Sequence, residues 1–216
     1  MKTLFIDTSR KSLSVALASC NKLLFVSNIN SYSKHSNFLM NEIKNILEKS
    51  NLSIYDIDNI VVLNGPGSFT GIRVGVTISK TLSWVLSKKL YQVNNLEALK
   101  VGINDEVVIS IIPDKEKDSY VGIYCNSIIK EDYISINDSL LEISNKSITL
   151  VSMEQNAFLD NLKQKLSTNN NVTVKYINDY NYLNVIEFAL SKENINPHIA
   201  EPIYLKKIDA EKKSVN

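Results

Sequence analysis

The stretch Asn64-Gly65-Pro66-Gly67-Ser68-Phe69-Thr70-Gly71-Ile72-Arg73-Val74-Gly75 constrains this chain more than any other. Only six glycines occur in 216 residues, and four of them fall within these positions. One of the four prolines and one of the two arginines lie here too. The apolar run Ile60-Val61-Val62-Leu63 before it reads as a buried strand. Gly65-Pro66-Gly67 then breaks the strand, because proline fixes its own φ and the flanking glycines tolerate positive φ or close backbone approach. Ser68 or Thr70 can N-cap a helix running from about Gly71 to Lys88. Two uses fit such a turn. Its outward N–H groups, beside a positive helix end, can meet an anion. Its glycines can equally let the helix pack closely on a sheet. The sequence leaves both open. It does exclude a P-loop, which needs Gly-Lys-Ser/Thr, and it is not G-x-G-x-x-G, because Gly67 and Gly71 are one residue too far apart.

Composition narrows the class. The length suits one large domain or two small ones, and 44% hydrophobic residues can form a core. A formal net charge of +1 supplies no general attraction to nucleic acid or membrane. Cys20 and Cys125 are too few for a disulfide framework. The N-terminus lacks a signal-peptide apolar core, and no run reaches eighteen apolar residues. A cytoplasmic protein is expected. Lysine far outnumbers arginine, which draws attention to Arg10 and Arg73, since planar bidentate recognition is served poorly by lysine.

Along the chain, Thr3–Ile6 is an apolar strand ending in Asp7-Thr8-Ser9, and Ser12–Ala18 and Lys22–Ile29 read as two more. A short carboxylate and two hydroxyls at such a turn can hold a metal-bound phosphate or satisfy their own backbone. A helix over 33–49, capped by Ser33 or Ser36, carries Leu39, Ile43, Ile46 and Leu47 on one stripe, with Phe38 and Met40 off it. His35 at its start is expected to be a cap or surface residue. The next helix carries Val74, Ile78, Leu82, Val85 and Leu86, with Trp84 outside the stripe. Tyr91–Val93 is a strand and Asn95–Lys100 a short helix. Beyond a polar run near 102–105, strands are expected at 107–112, 120–124, 133–136, 148–151 and 172–176. Helices are expected at 139–143, 154–166 and 182–192. Residues 197–205 read as extended and 206–216 as a charged, mobile tail.

Each half opens with a meander of strands and continues with helices and further strands. This duplication fits an α/β actin/hexokinase-like (ASKHA) fold with two related subdomains, the second degenerate. The first would comprise 1–104 with 197–216, and the second 105–196.

Four segments then resemble the TsaB (YeaZ) family: Asp7-Thr8-Ser9, Lys34-His35-Ser36, the glycine motif through Arg73, and Glu201-Pro202-Ile203-Tyr204-Leu205-Lys206. The glycine motif is the specific one. Where the family has Asp-Ala-Arg after a strand, this chain has Asp114-Lys115-Glu116. The resemblance implies a non-catalytic subunit of the bacterial complex that forms N6-threonylcarbamoyladenosine (t6A) at position 37 of ANN-decoding tRNAs. It implies pairing with the catalytic TsaD and the ATPase TsaE, a homodimer when alone, and tRNA contact only through the complex. The interface would lie on the helices of the first subdomain, at Phe38, Leu39, Met40, Ile43, Val74, Ile78 and Leu82. Asp7, Thr8 and Ser9 would be a phosphate or nucleotide contact. Gly65, Pro66, Gly67, Ser68, Phe69, Thr70, Gly71 and Arg73 would form the family's motif turn. No catalytic residue, metal or required cofactor is expected, although an adenine nucleotide could sit at a subunit interface. Asp7→Ala is then expected to leave fold and assembly intact. The alternative is an autonomous small ATPase or kinase of the same fold, in which Asp7 would hold a Mg²⁺–phosphate. A metallopeptidase is disfavoured, because His35 and His198 are the only histidines and do not form a helical pair.

Overall fold

The computed structural model describes residues 1–30, 35–125, 127–136, 143 and 146–206. The expected Ser33 cap, Lys34 of the second motif, residues 207–216 of the tail and most of the helix at 139–143 lie outside these residues. Two compact units emerge, one formed by Met1–Val101 with Asn181–Ile203 and the other by Gly102–Tyr180 with Tyr204–Asn216.

The first unit is built on a sheet of order β3-β2-β1-β4-β5. Its strands are β1 (Lys2–Asp7), β2 (Ser12–Ser19), β3 (Lys22–Asn30), β4 (Asn59–Leu63) and β5 (Lys89–Val93). The first three pair antiparallel, and β4 and β5 continue parallel to β1. Strand alternation explains the two covered faces. Leu4 and Ile6 of β1 face helices α1 (His35–Lys49) and α2 (Phe69–Val85), in a core shared with Leu39, Ile43, Ile46, Ile72 and Val76. Phe5 points the other way and meets the ring of Tyr182 edge-on at 5.3 Å. With both faces covered, β1 and β4 carry the unbroken apolar runs Leu4–Ile6 and Ile60–Leu63 instead of alternating. Helix α3 (Asn95–Lys100) follows β5, with a capping box between Asn94 and Glu97.

The second unit repeats the plan. Strands β6 (Val107–Pro113), β7 (Asp118–Cys125), β8 (Ser127–Ser135), β9 (Ser147–Ser152) and β10 (Asn171–Tyr176) form a sheet of order β10-β9-β6-β7-β8. Read from β8, this is the order of the first sheet, with the same antiparallel meander and two parallel strands. Helix α4 (Ala157–Leu166) buries Phe158, Leu159, Leu162 and Leu166 on it. The duplicated architecture expected from the sequence is therefore present.

Several boundaries differ from the sequence reading for local reasons. Helix α4 starts at Ala157 and not at 154, because the Asn156 side chain accepts from the Leu159 N–H and caps it there. Helix α2 ends at Val85, where Ser87 turns to φ 52° and the Lys88 N–H closes back on the Ser83 carbonyl. The chain also rejoins the first unit at Asn181, earlier than the expected 197. Helix α5 (Tyr182–Leu190) buries Tyr182, Val185, Ile186 and Ala189, and Tyr182 donates to Asn28 of β3 at 2.9 Å. Helix α5 thus covers the Phe5 face of the first sheet. Truncation at Tyr182 removes the ring that fills this face. Tyr182→Ala should cost about 3–5 kcal/mol in urea unfolding, and a loss under about 1 kcal/mol would show that α5 adds little to the first unit.

Candidate functional site

The glycine turn and the Asp7-Thr8-Ser9 turn meet at the ends of β1 and β4. Asp7 is fully buried, and both of its oxygens are engaged by the chain itself. Oδ1 accepts from the Ser9 N–H at 2.8 Å and from the Ser9 hydroxyl at 2.5 Å. Oδ2 accepts from Arg10 Nε at 2.9 Å, and the same guanidinium donates to the Ser14 hydroxyl at 3.0 Å. Arg10 thus neutralises the carboxylate from within the turn. The expectation that Asp7→Ala leaves the fold intact is corrected on this geometry. Removing the carboxylate would leave a largely buried guanidinium without its counter-charge.

Thr8 and Ser9 face the glycine turn. The Thr8 hydroxyl donates to the Gly71 carbonyl at 2.6 Å, and the Ser9 carbonyl accepts from the Ser68 N–H at 2.7 Å. Helix α2 approaches so closely that a Cβ on Gly71 would overlap the Thr8 carbonyl oxygen. Below Gly71 the buried face of α2 continues through Gly75, Ser79 and Ser83, all small and four residues apart. Gly65 has φ +108°, a conformation that an L side chain adopts only with strain.

The turn's amide donors point largely inward. The Gly65 N–H goes to Asn95 Oδ1 at 2.8 Å, that of Ser68 to Ser9, that of Gly71 to the Ser68 hydroxyl at 3.3 Å, and that of Ile72 to the Ser68 carbonyl. Ser68 is the N-cap of α2. These four donors serve packing, which corrects the picture of a turn with its N–H groups directed outward. Asn95 also donates to the Ser9 hydroxyl at 2.5 Å, so one α3 side chain bonds both turns. Sequence reasoning missed this role. The available signal was the Asn94-Asn95 pair directly after β5, with Glu97 at capping-box spacing.

His35 is also placed differently from expectation. It is buried, and its ring lies against Gly71. Arg73 does not join Asp7. Its guanidinium stacks over the exposed Phe69 ring at 3.9 Å, one helical turn away. Of the residues expected to face a partner, Leu39 and Ile43 are buried in the core and have no surface to offer. Val74, Ile78 and Leu82 are partly buried against that core. Phe38 and Met40 are exposed on α1 at 41% and 48%, and Trp84 and Val85 on α2 at 62% and 66%. The outer surface of these helices is therefore mixed, with these apolar side chains set among polar ones such as Asn37, Asn41, Lys44, Arg73 and Thr77. Among the described residues no three His, Cys, Asp or Glu side chains gather as a metal site would need, and no helix is long and apolar enough to cross a membrane.

Two mixed sheets of one strand order, with crossover helices after the meander, define the actin- and hexokinase-like class of α/β proteins. Residues 29–111 match the family model "TsaD: tRNA N6-adenosine threonylcarbamoyltransferase". The tRNA threonylcarbamoyladenosine biosynthesis protein TsaB of Bacillus subtilis is 35% identical over 126 residues, covering 57% of this chain and 55% of that protein. The TsaB of Haemophilus influenzae is 25% identical over 94% of this chain and 92% of its own. The solved structure of YeaZ from Pseudomonas aeruginosa superposes with a TM-score of 0.75 at 19% identity, covering 94% and 99% of the two chains, and so shares the fold. The chain is similar to TsaB and YeaZ proteins, and it spans about half the length of the first curated relatives that it matches.

The joint gives a test in which the two physical effects have opposite signs. Helix propensity favours alanine over glycine by about 1 kcal/mol. The clash with the Thr8 backbone opposes it and has no flexible side chain to yield. Gly71→Ala should destabilise the protein by about 3 kcal/mol or more in chemical denaturation. A stabilised variant would mean that α2 and the Thr8 backbone are not in contact.

Proposed function

We propose that this chain is the non-catalytic partner subunit of the bacterial assembly that forms t6A at position 37 of ANN-decoding tRNAs. The observation that carries the reading is the internal use of Asp7. A carboxylate that accepts from Ser9 twice and from Arg10 has no oxygen directed outward for a metal-bound phosphate. The first unit therefore keeps the turn of a nucleotide-handling fold but uses it to hold helix α2. Catalysis and tRNA engagement then fall to a partner, which we take to be the TsaD-type transferase, with TsaE as the ATPase. An adenine nucleotide, if one is used, would sit at a subunit boundary.

The surface suited to that partner is the outer face of α1 and α2. It exposes Phe38, Met40, Trp84 and Val85, and α2 contains no acidic residue across its seventeen positions. Exposed aromatic and methionine side chains of this kind gain most from burial in an interface. In isolation the same face would close on a second copy.

Size-exclusion chromatography with light scattering, on this chain alone and mixed with the TsaD of the same organism, tests the reading. A homodimer that converts to a heterodimer is expected. A monomer that ignores TsaD and turns over ATP would overturn the proposal in favour of an autonomous enzyme. Phe38→Glu places a charge on the proposed surface without touching the core. It should weaken the heterodimer at least about tenfold, the equivalent of 1.4 kcal/mol, with an unchanged unfolding midpoint. Full assembly of the folded variant would move the interface elsewhere.

A further inference from the structure

The residue before the glycine turn carries a chemistry of its own. Of the six glycines, Gly65 alone follows an asparagine. An asparagine side chain is open to attack by the backbone nitrogen of the next residue, and glycine, with no Cβ, shields that nitrogen least. The attack forms a bond between Gly65 N and Asn64 Cγ. The Cγ–Nδ2 bond breaks, and Nδ2 leaves as ammonia with the proton from Gly65 N. A succinimide ring remains, and water opens it at either carbonyl to give aspartate or isoaspartate. Asn51 and Asn59 are followed by leucine and isoleucine, whose branched side chains hinder the same step.

Each group that this reaction needs is tied down. The Gly65 N–H, whose nitrogen would attack, donates to Asn95 Oδ1 at 2.8 Å. The Asn64 N–H donates to the Val93 carbonyl at 3.1 Å, and the Asn64 carbonyl accepts from the Ile203 N–H at 2.7 Å. Both flanking peptide units are therefore held, which opposes the backbone rotation that brings Gly65 N to Cγ. Nδ2, the leaving group, donates to the Glu201 carbonyl at 3.3 Å. Oδ1 would gather negative charge as the ring closes. It is buried and has no hydrogen-bond partner among the described residues, so a developing oxyanion gains no support there. The tethers come from β5, α3 and residues 201–203, all within the first unit.

We propose that the Asn64-Gly65 pair is a latent deamidation site, which Asn95 holds closed by keeping the Gly65 nitrogen from attack. Asn95 is the first residue of a six-residue helix, and a short helix end opens at lower cost than the inner strands of a sheet. Its release frees the nitrogen while the sheet stays formed. The isoaspartyl product lengthens the backbone by a methylene where β4 meets the glycine turn. Gly65 has little room to move, because even a Cβ there would overlap the Ile203 carbonyl oxygen. The modified turn cannot keep its place. Deamidation at Asn64 is thus an irreversible mark of chains whose glycine joint has opened.

Timed incubation of the full chain at mildly alkaline pH, followed by peptide mass spectrometry, reads the site directly. Trypsin releases Ser50–Arg73 as one peptide, with Asn51 and Asn59 as internal controls. In guanidinium, Asn64 should convert faster than either control. In the folded wild type its conversion should be slowed about a hundredfold or more. Folded Asn95→Ala should convert at Asn64 about tenfold faster than the wild type, with Asn51 and Asn59 unchanged. Should Asn95→Ala not fold, the wild type decides. In sub-denaturing guanidinium, its conversion at Asn64 should rise in step with hydrogen exchange of the Gly65 amide. Conversion as fast in the folded wild type as in guanidinium, a wild-type rate in folded Asn95→Ala, or conversion independent of Gly65 amide exchange would overturn the proposal.

Discussion

Helix α2 lies against the end of β1 through contact between the Thr8 backbone and a glycine face, and the first unit depends on that contact. The contact permits no side chain at Gly71, so the helix sits close enough for the Thr8 hydroxyl to reach a helix carbonyl. The same closeness seats His35 and lets the Ser9 carbonyl receive the Ser68 N–H. Asp7 stiffens the turn from the other side. Its buried charge is tolerable because Arg10 and Ser9 surround it, and that arrangement leaves it nothing to present outward. One steric requirement thus explains the glycine clustering and the fixed position of α2.

The two units show what a duplicated plan retains and what it can lose. Strand order and direction are the same in both sheets, because meander and crossover connections fix the topology whatever the detailed sequence. The second unit has no counterpart to the glycine joint. At the corresponding turn after its first strand it carries Asp114, whose counter-charge arrives from Lys206, 92 positions away. In the first unit the aspartate's cation comes from three residues away, at Arg10. A local pair gives a permanent lock.

Much of the fold was legible in the sequence because burial on both faces leaves unbroken apolar runs. Thr3–Ile6 and Ile60–Leu63 could hardly be other than inner strands, and the short helix read at Asn95–Lys100 is α3 as found. The motif turn was legible as strand, glycine break and helix, with Ser68 or Thr70 as its cap, and the structure uses Ser68. Features set by distant partners were not legible. Helical periodicity cannot show that His35 is buried, because its cover is supplied by Gly71. It cannot separate Leu39 and Ile43 in the core from Phe38 and Met40 outside until the helix is docked. The competition between anion contact and packing at the glycine turn likewise depended on where Ser9 and Asn95 would stand. Family resemblance supplied the biological setting, while the chemistry of the turn had to come from the structure.

The account rests on Asp7 being a structural lock and not a carboxylate held ready for a ligand, and the two roles give opposite signs on neutralisation. A ligand carboxylate held ready carries an uncompensated charge, so its amide isostere is as stable or more so. A lock loses its ion pair with Arg10. Equilibrium urea unfolding of Asp7→Asn against the wild type at neutral pH therefore measures the claim directly. A loss of about 2–4 kcal/mol is predicted. Equal or greater stability of the variant would contradict it and return Asp7 to the candidates for binding a metal-bound phosphate.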